Sequence, residues 1–244
     1  MSKLKEAALD YISLGWRVMP LIPSSKRAAI KEWPNKAFSA VEEVEDYWSK
    51  NPDANVGVLT GPKSGLLVID IDPRNGGEET WDSLRESFDW VDTATVLTPG
   101  GGRHLYYRWA EGLDGVRLPK SLGPGVDICG PRRYVVAPPS VHPNGGEYRW
   151  EGLEEPGLEG IAEAPFALVE KIRAAAYEEH LSASPDGQTG KILKGQRNTT
   201  LTSYAGNLRR MGCTREEIEC ALRALNQSRC EPPLDAGEVT KIAE

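Results

Sequence analysis

Two aspartates one residue apart carry the most chemistry in this chain. Asp70 and Asp72 end the run Leu-Leu-Val-Ile-Asp-Ile-Asp that begins at Leu66. A short run rich in Val and Ile reads as a buried strand. Side chains alternate along a strand, so Asp70 and Asp72 share one face while Ile69 and Ile71 point to the other. Carboxylates set side by side repel, and a hard divalent cation that prefers oxygen ligands relieves the repulsion. Taken alone, Asp-x-Asp-Pro is equally a turn that closes the strand.

Two further segments add to the pair. In Gly101-Gly102-Arg103-His104-Leu105-Tyr106-Tyr107-Arg108, a glycine turn leads into a strand with His104, Tyr106 and Arg108 on one face. Glycine permits close approach of a ligand, and His and Arg are natural partners of phosphate oxygens. Gly125-Val126-Asp127-Ile128 sets an isolated carboxylate in a strand pattern, followed by Arg132 and Arg133. Singly, His104 suits a structural hydrogen bond, Asp127 a turn or an arginine partner, and the arginines a solvated loop. Together they resemble equipment for phosphoryl transfer from a nucleotide, in which three acids hold two Mg²⁺ ions. The stretch Gly57 to Ser64 imitates a phosphate-binding loop. However, Pro62 stands where a glycine should precede Lys63, and a strand pattern follows instead of a helix. A turn between two strands is the better reading.

The elements that must position these residues alternate along the chain. Strand patterns occupy 16–21, 56–60, 66–72, 93–98, 104–108, 126–129 and 134–137, and helix patterns occupy 3–14, 40–50, 78–87 and 164–180. This predicts an α+β domain with a mixed or antiparallel sheet over residues 1–180. Residues 181–190 are rich in Ser, Pro, Asp and Gly and read as a linker. Residues 191–244 form a small helical domain, with helices over 197–211, 214–228 and 235–244 and a capping box at Thr214 and Glu217. The last pattern stops without a C-cap, so continuation into a longer chain is expected.

Composition narrows the class. The 244 residues contain no apolar stretch long enough for a bilayer and no signal-peptide pattern, so a cytoplasmic protein without membrane partners is expected. Cys129, Cys213, Cys220 and Cys230 form no Cys-x-x-Cys pair, so zinc is not expected and reduced thiols are. The net charge of −7 opposes a simple nucleic-acid binder, but residues 99–150 are locally basic, which suits a polyanion groove on an acidic protein.

The order and spacing of the motifs resemble the bifunctional DNA primase/polymerase family of the archaeo-eukaryotic primase superfamily. The resemblance runs from about Leu9 to Trp150. It passes through Trp16-Arg17-Val18-Met19-Pro20-Leu21, Lys26 to Trp33, Asn55-Val56-Gly57-Val58 and Asp70-Ile71-Asp72. It continues through Thr98-Pro99-Gly100-Gly101-Gly102-Arg103-His104, Gly125-Val126-Asp127 and Tyr134-Val135-Val136-Ala137-Pro138-Pro139-Ser140. The tail resembles a primase C-terminal helical domain at Gln196-Arg197-Asn198, Ala205 to Arg210, Leu225-Asn226, Cys230 to Leu234 and Glu238 to Ala243.

The resemblance implies a primase-polymerase core, an α/β unit beside a recognition-motif-like sheet, followed by the helical domain. It implies that Asp70, Asp72 and Asp127 bind catalytic Mg²⁺ or Mn²⁺, and that His104 contacts the triphosphate. Arg103, Arg132 and Arg133 join the nucleotide set, with Arg133 placed ahead of Arg132. Many relatives have a glycine-rich turn where this chain has Gly130-Pro131-Arg132-Arg133. Lys26, Arg27, Lys31, Arg197, Arg209 and Arg210 are candidates for DNA contact, and a solvated loop is the alternative for the first three. The implied activity is template-dependent synthesis and extension of primers on single-stranded DNA from NTPs or dNTPs. A partner or downstream helicase and a bacterial or phage-infected host go with it. The alternatives are a non-enzymatic replication-initiation module that binds DNA, and another Asp-x-Asp metal enzyme such as a nuclease or sugar transferase.

Overall fold

The structure is a computed structural model, and it describes residues 2–86, 91–152, 160–182, 191–210 and 212–244. The chain divides into two units, residues 1–177 and 178–244. Most of the predicted linker, residues 183–190, lies outside the described residues.

The first unit opens with α1 (Lys3–Ser13), β1 (Val18–Leu21), α2 (Trp33–Lys36), α3 (Val41–Lys50) and β2 (Asn55–Leu59). It continues with β3 (Leu66–Ile71), α4 (Gly77–Arg85), β4 (Thr95–Leu97), β5 (Arg103–Arg108), β6 (Ser121–Gly123) and β7 (Val126–Cys129). It ends with β8 (Tyr134–Ala137), β9 (Arg149–Trp150), β10 (Ala162–Glu163) and α5 (Phe166–Ser182), the last crossing the unit boundary.

Its strands form two sheets. The smaller has the order β1-β2-β8 and is antiparallel. The larger has the order β6-β7-β3-β5-β4-β9, antiparallel along this path, and β10 adds in parallel to the far end of β5. This is the predicted α+β architecture with a mixed sheet.

The larger sheet is covered on both faces, which explains why β3 reads as a nearly continuous apolar run. Leu66, Val68, Tyr106, Cys129 and Val96 join a core with the small sheet, α1 and α3. Leu67, Ile69, Ile71, Leu105, Tyr107, Val126 and Ile128 join a second core with Trp81 of α4 and Leu168, Val169 and Ile172 of α5. The predicted strand start at Trp16 is two residues early. Trp16 instead folds back, stacking on Tyr11 with ring centroids 5.3 Å apart. The P-loop imitation is a turn between β2 and β3. Thr60 Oγ1 donates to the Gly130 carbonyl at 2.6 Å, and a Cβ on Gly61 would lie 2.8 Å from Pro131 Cα, so the turn is sealed by protein.

The second unit contains β11 (Ile192–Leu193), α6 (Arg197–Arg210), α7 (Arg215–Arg229), β12 (Cys230–Glu231) and α8 (Ala236–Ala243). Leu201, Tyr204, Ile218, Leu222, Leu234 and Val239 build its own core. The Thr214–Glu217 capping box forms in both directions at the start of α7. Buried Asn226 closes the unit with two bonds to the Leu234 backbone, at 3.0 and 2.8 Å. No described helix is long and apolar enough to cross a membrane.

Candidate active site

Strand register assembles the site. β3 is central, with β5 on one side and β7 on the other, and Asp70 stands opposite His104 and opposite Asp127. Residues directly opposite in antiparallel strands share a face, so the three side chains form a row across the sheet. The row continues the face occupied by Val68, Tyr106 and Cys129, where the first core ends near the strand termini.

Asp70 and His104 meet across this row, with His104 Nε2 3.7 Å from Asp70 Oδ1. Burial raises the Asp70 pKa above the usual carboxylate range. Asp127 and Asp72 add to the rise, while His104 and Lys26 oppose it. Burial lowers the His104 pKa below 6.5 despite Asp70 beside it. At neutral pH the imidazole beside Asp70 is therefore uncharged. The buried Nδ1 of His104 has no partner among the described residues, so Nε2 is the nitrogen turned to the carboxylates.

Asp72 is held differently. It caps the short turn Pro73–Asn75 and accepts four hydrogen bonds. Arg74 N and Nε reach Oδ1 at 3.0 and 2.9 Å, and Arg74 Nη2 and Asn75 Nδ2 reach Oδ2 at 2.9 and 3.0 Å. The Arg74 bonds hold the Asp72 carboxyl below the usual range. Arg74 was not among the predicted site residues. Its signal was an arginine two positions after an acid in an Asp-Pro-x-Asn turn. Tyr148 was also missed. Its ring lies 6.0 Å from the rings of both His104 and His142, and burial, with Asp70 adding, pushes its hydroxyl up to about 12.

Backbone contacts fix the acids relative to one another. Asp72 N donates to the Gly125 carbonyl at 2.8 Å, and Gly77 N donates to the Asp72 carbonyl at 3.0 Å. A Cβ on Gly77 would lie 2.5 Å from the Gly125 oxygen, and one on Gly102 would lie 2.4 Å from the Ile71 oxygen. The end of β3 is thus clamped between the start of α4, the turn before β7 and the turn before β5, and glycine is required at those contacts.

The basic residues divide. Arg133 is half-buried, and its charge acts on the Cys129 thiol, two residues beyond Asp127 on the same face. Arg132 is exposed with φ 60°, in the left-handed region. The Lys26 charge acts on both Asp70 and His104, and its carbonyl is anchored by Tyr134 Oη at 2.9 Å. Arg27 and Lys31 are exposed on the same segment.

Three of the candidate arginines bond elsewhere in the protein. Arg103 does not join His104. It pairs with Ile71 in register, on the opposite face of the sheet, and makes an ion pair with Glu78. In the second unit, Arg197 donates to the carbonyls of Pro232 and Pro233, at 2.5 and 3.5 Å, and Arg209 donates to the Ile242 carbonyl at 2.9 Å. Both tie that unit together. Arg210 bonds Asn207 on its own helix and is exposed.

Among the described residues, no three Asp, Glu, His or Cys side chains converge closely enough to hold a metal unaided. Mg²⁺ seldom needs that. It usually keeps several waters and takes one or two carboxylates together with substrate phosphates. The all-oxygen pair Asp70 and Asp127, in register and with the Asp70 charge disfavoured by burial, fits such a cation.

Residues 8–167 match the family described as bifunctional DNA primase/polymerase, N-terminal. Residues 188–244 match the family described as primase C terminal 1. A comparison with curated proteins gave no match.

Proposed function

The chain belongs to the bifunctional DNA primase/polymerase family, and on that premise we propose that it starts and extends primers on single-stranded DNA by metal-dependent nucleotidyl transfer. The observation that carries this reading is Asp70 in register with Asp127 on one side and His104 on the other.

Asp70 and Asp127, with Asp72 as third acid, would hold Mg²⁺ or Mn²⁺. When bound, the metal supplies a lowered pKa for the attacking 3′-hydroxyl and charge neutralisation on the triphosphate and departing pyrophosphate. The protein's own groups orient and bind. His104, neutral and enclosed, offers Nε2 to a phosphate oxygen without adding a mobile charge. Arg133 and Lys26 add positive potential on the same side, aimed where negative charge accumulates. Burial along the first core keeps the local dielectric low, which strengthens each of these interactions.

A pure DNA-binding module has no use for two facing carboxylates on the face that meets a polyanion, since they would repel it. The site therefore favours an enzyme. A partner or downstream helicase is consistent with the C-terminal primase domain.

The test is incubation with labelled NTPs or dNTPs, Mg²⁺ or Mn²⁺, and a single-stranded template. New labelled primers support this reading. A mobility shift without synthesis supports a binding module, and shortening of the template supports a nuclease.

A further inference from the structure

Arg74 occupies a place where the charge of a metal would act. It closes on Asp72 with two guanidinium nitrogens and its backbone N–H, while Asn75 supplies the fourth donor. An aspartate with four donors has its lone-pair sites filled, so a cation can use Asp72 only by displacing some of them. Of the four donors only the Arg74 N–H is backbone, and the Asn75 amide is an uncharged side-chain donor. The guanidinium is the removable part, since the Arg74 side chain is 64 % exposed whereas that of Asp72 is 27 % exposed.

The guanidinium also has somewhere to go. Its Cζ lies against Gly100, where a Cβ would come within 3.4 Å. The neighbouring Gly101 faces open space. Arg74 thus lies along the glycine turn that leads into the His104 strand, beside Tyr148. A planar guanidinium released there matches phosphate oxygens in two-point fashion.

We propose that Arg74 is a built-in counter-ion that holds Asp72 until a metal and a triphosphate arrive together, then passes from the carboxylate to the phosphates. This rests on the reading of Asp70, Asp72 and Asp127 as metal ligands. Its consequence is cooperativity. Metal alone must compete with Arg74, whereas metal with nucleotide gives the guanidinium a new anion, so each ligand tightens the other. Arg74 acts through Asp72 and is a positioning residue in the free protein.

The experiment titrates the full chain with Mn²⁺ and follows free Mn²⁺ by electron paramagnetic resonance, with and without a non-hydrolysable dNTP analogue. Arg74→Ala should bind Mn²⁺ alone about fivefold tighter than the parent, the scale of one exposed ion pair. It should also lose most of the tightening that the nucleotide brings, and Arg74→Lys should restore part of it. The gain should vanish in an Asp72→Asn background, which separates competition at Asp72 from a general change in charge. Unchanged or weaker Mn²⁺ binding in Arg74→Ala, with binding still lost in Asp70→Asn, would overturn the Arg74 proposal alone. A gain that survives in Asp72→Asn would overturn it as well. Parental Mn²⁺ affinity in Asp70→Asn would overturn the metal-site reading and this proposal with it.

Discussion

His104 and Asp70 face each other across β5 and β3 at 3.7 Å, yet burial keeps the imidazole neutral. The contact orients a donor beside a carboxylate without forming an ion pair, and this has consequences for pH. The native His104 pKa lies below 6.5, the value of an unburied histidine. Below pH 6.5 His104 therefore binds more protons in the unfolded chain than in the native one, and its contribution to stability falls as pH drops through that window. A ¹H–¹⁵N titration of the imidazole should give a midpoint below 6.5. Asp70→Asn should move it lower still, because Asp70 favours the charged form. A midpoint at or above 6.5 would contradict the enclosed geometry.

Replacing His104 with Ala should weaken dNTP affinity roughly tenfold, the loss expected for one hydrogen bond to a charged group. DNA affinity should change little, because the exposed basic residues remain. Fluorescence anisotropy with labelled template and equilibrium binding of a dNTP analogue measure the two separately. Loss of DNA binding with nucleotide affinity intact would place His104 on a template surface instead.

Gly77 tests the clamp on the acids. An Ala Cβ there would lie 2.5 Å from the Gly125 oxygen and 2.6 Å from the Asp72 oxygen, both backbone atoms. Gly77→Ala should cost roughly 1–3 kcal/mol in urea unfolding, as overpacking does when neighbours cannot yield. It should also lower extension activity, because relief of the clash moves Asp72 away from the strand that carries Asp127. Full stability with full activity would mean that the clamp is slack.

The row of acids was legible because strand alternation is strict. Asp70 and Asp127 sit in short β-branched runs, and once the strands pair, both must share the face of Val68 and Cys129. The same alternation puts Arg103 on the face opposite His104, Tyr106 and Arg108. Its partner Glu78 is 25 residues away, which no local pattern reveals. The partners of Arg197 and Arg209 were hidden for that reason too. Their carbonyl acceptors lie 35 and 33 residues along the chain, and an arginine committed to tertiary structure looks in sequence like one offered to DNA. The long helices and strands were readable from periodicity. Two-residue strands such as β9, β10, β11 and β12 were not, because they owe their existence to the neighbour they pair with.

The second unit has its own core, so the chain can be cut near its boundary. Starting a primer holds two nucleotides on a template without a preformed duplex. Extension holds one beside a positioned terminus, so initiation loses more entropy and gains more from an extra holding surface. A chain ending at Ser182 should extend a supplied primer while its initiation falls at least ~tenfold further than its extension. Product lengths with and without a supplied primer measure both. Equal loss of the two activities in a folded truncation would make the helical unit part of the catalytic machinery.

The most direct measurement is primer synthesis and primer extension by Asp70→Asn and Asp127→Asn at saturating Mg²⁺ and Mn²⁺, with melting curves taken in EDTA. An amide is a poor ligand for a hard cation, and it removes the repulsion between two facing carboxylates. The account predicts that both variants lose both activities while their melting temperatures are not lowered. Near-parental extension by either variant would contradict the assignment of that aspartate to the metal site, and by both would contradict the proposed mechanism.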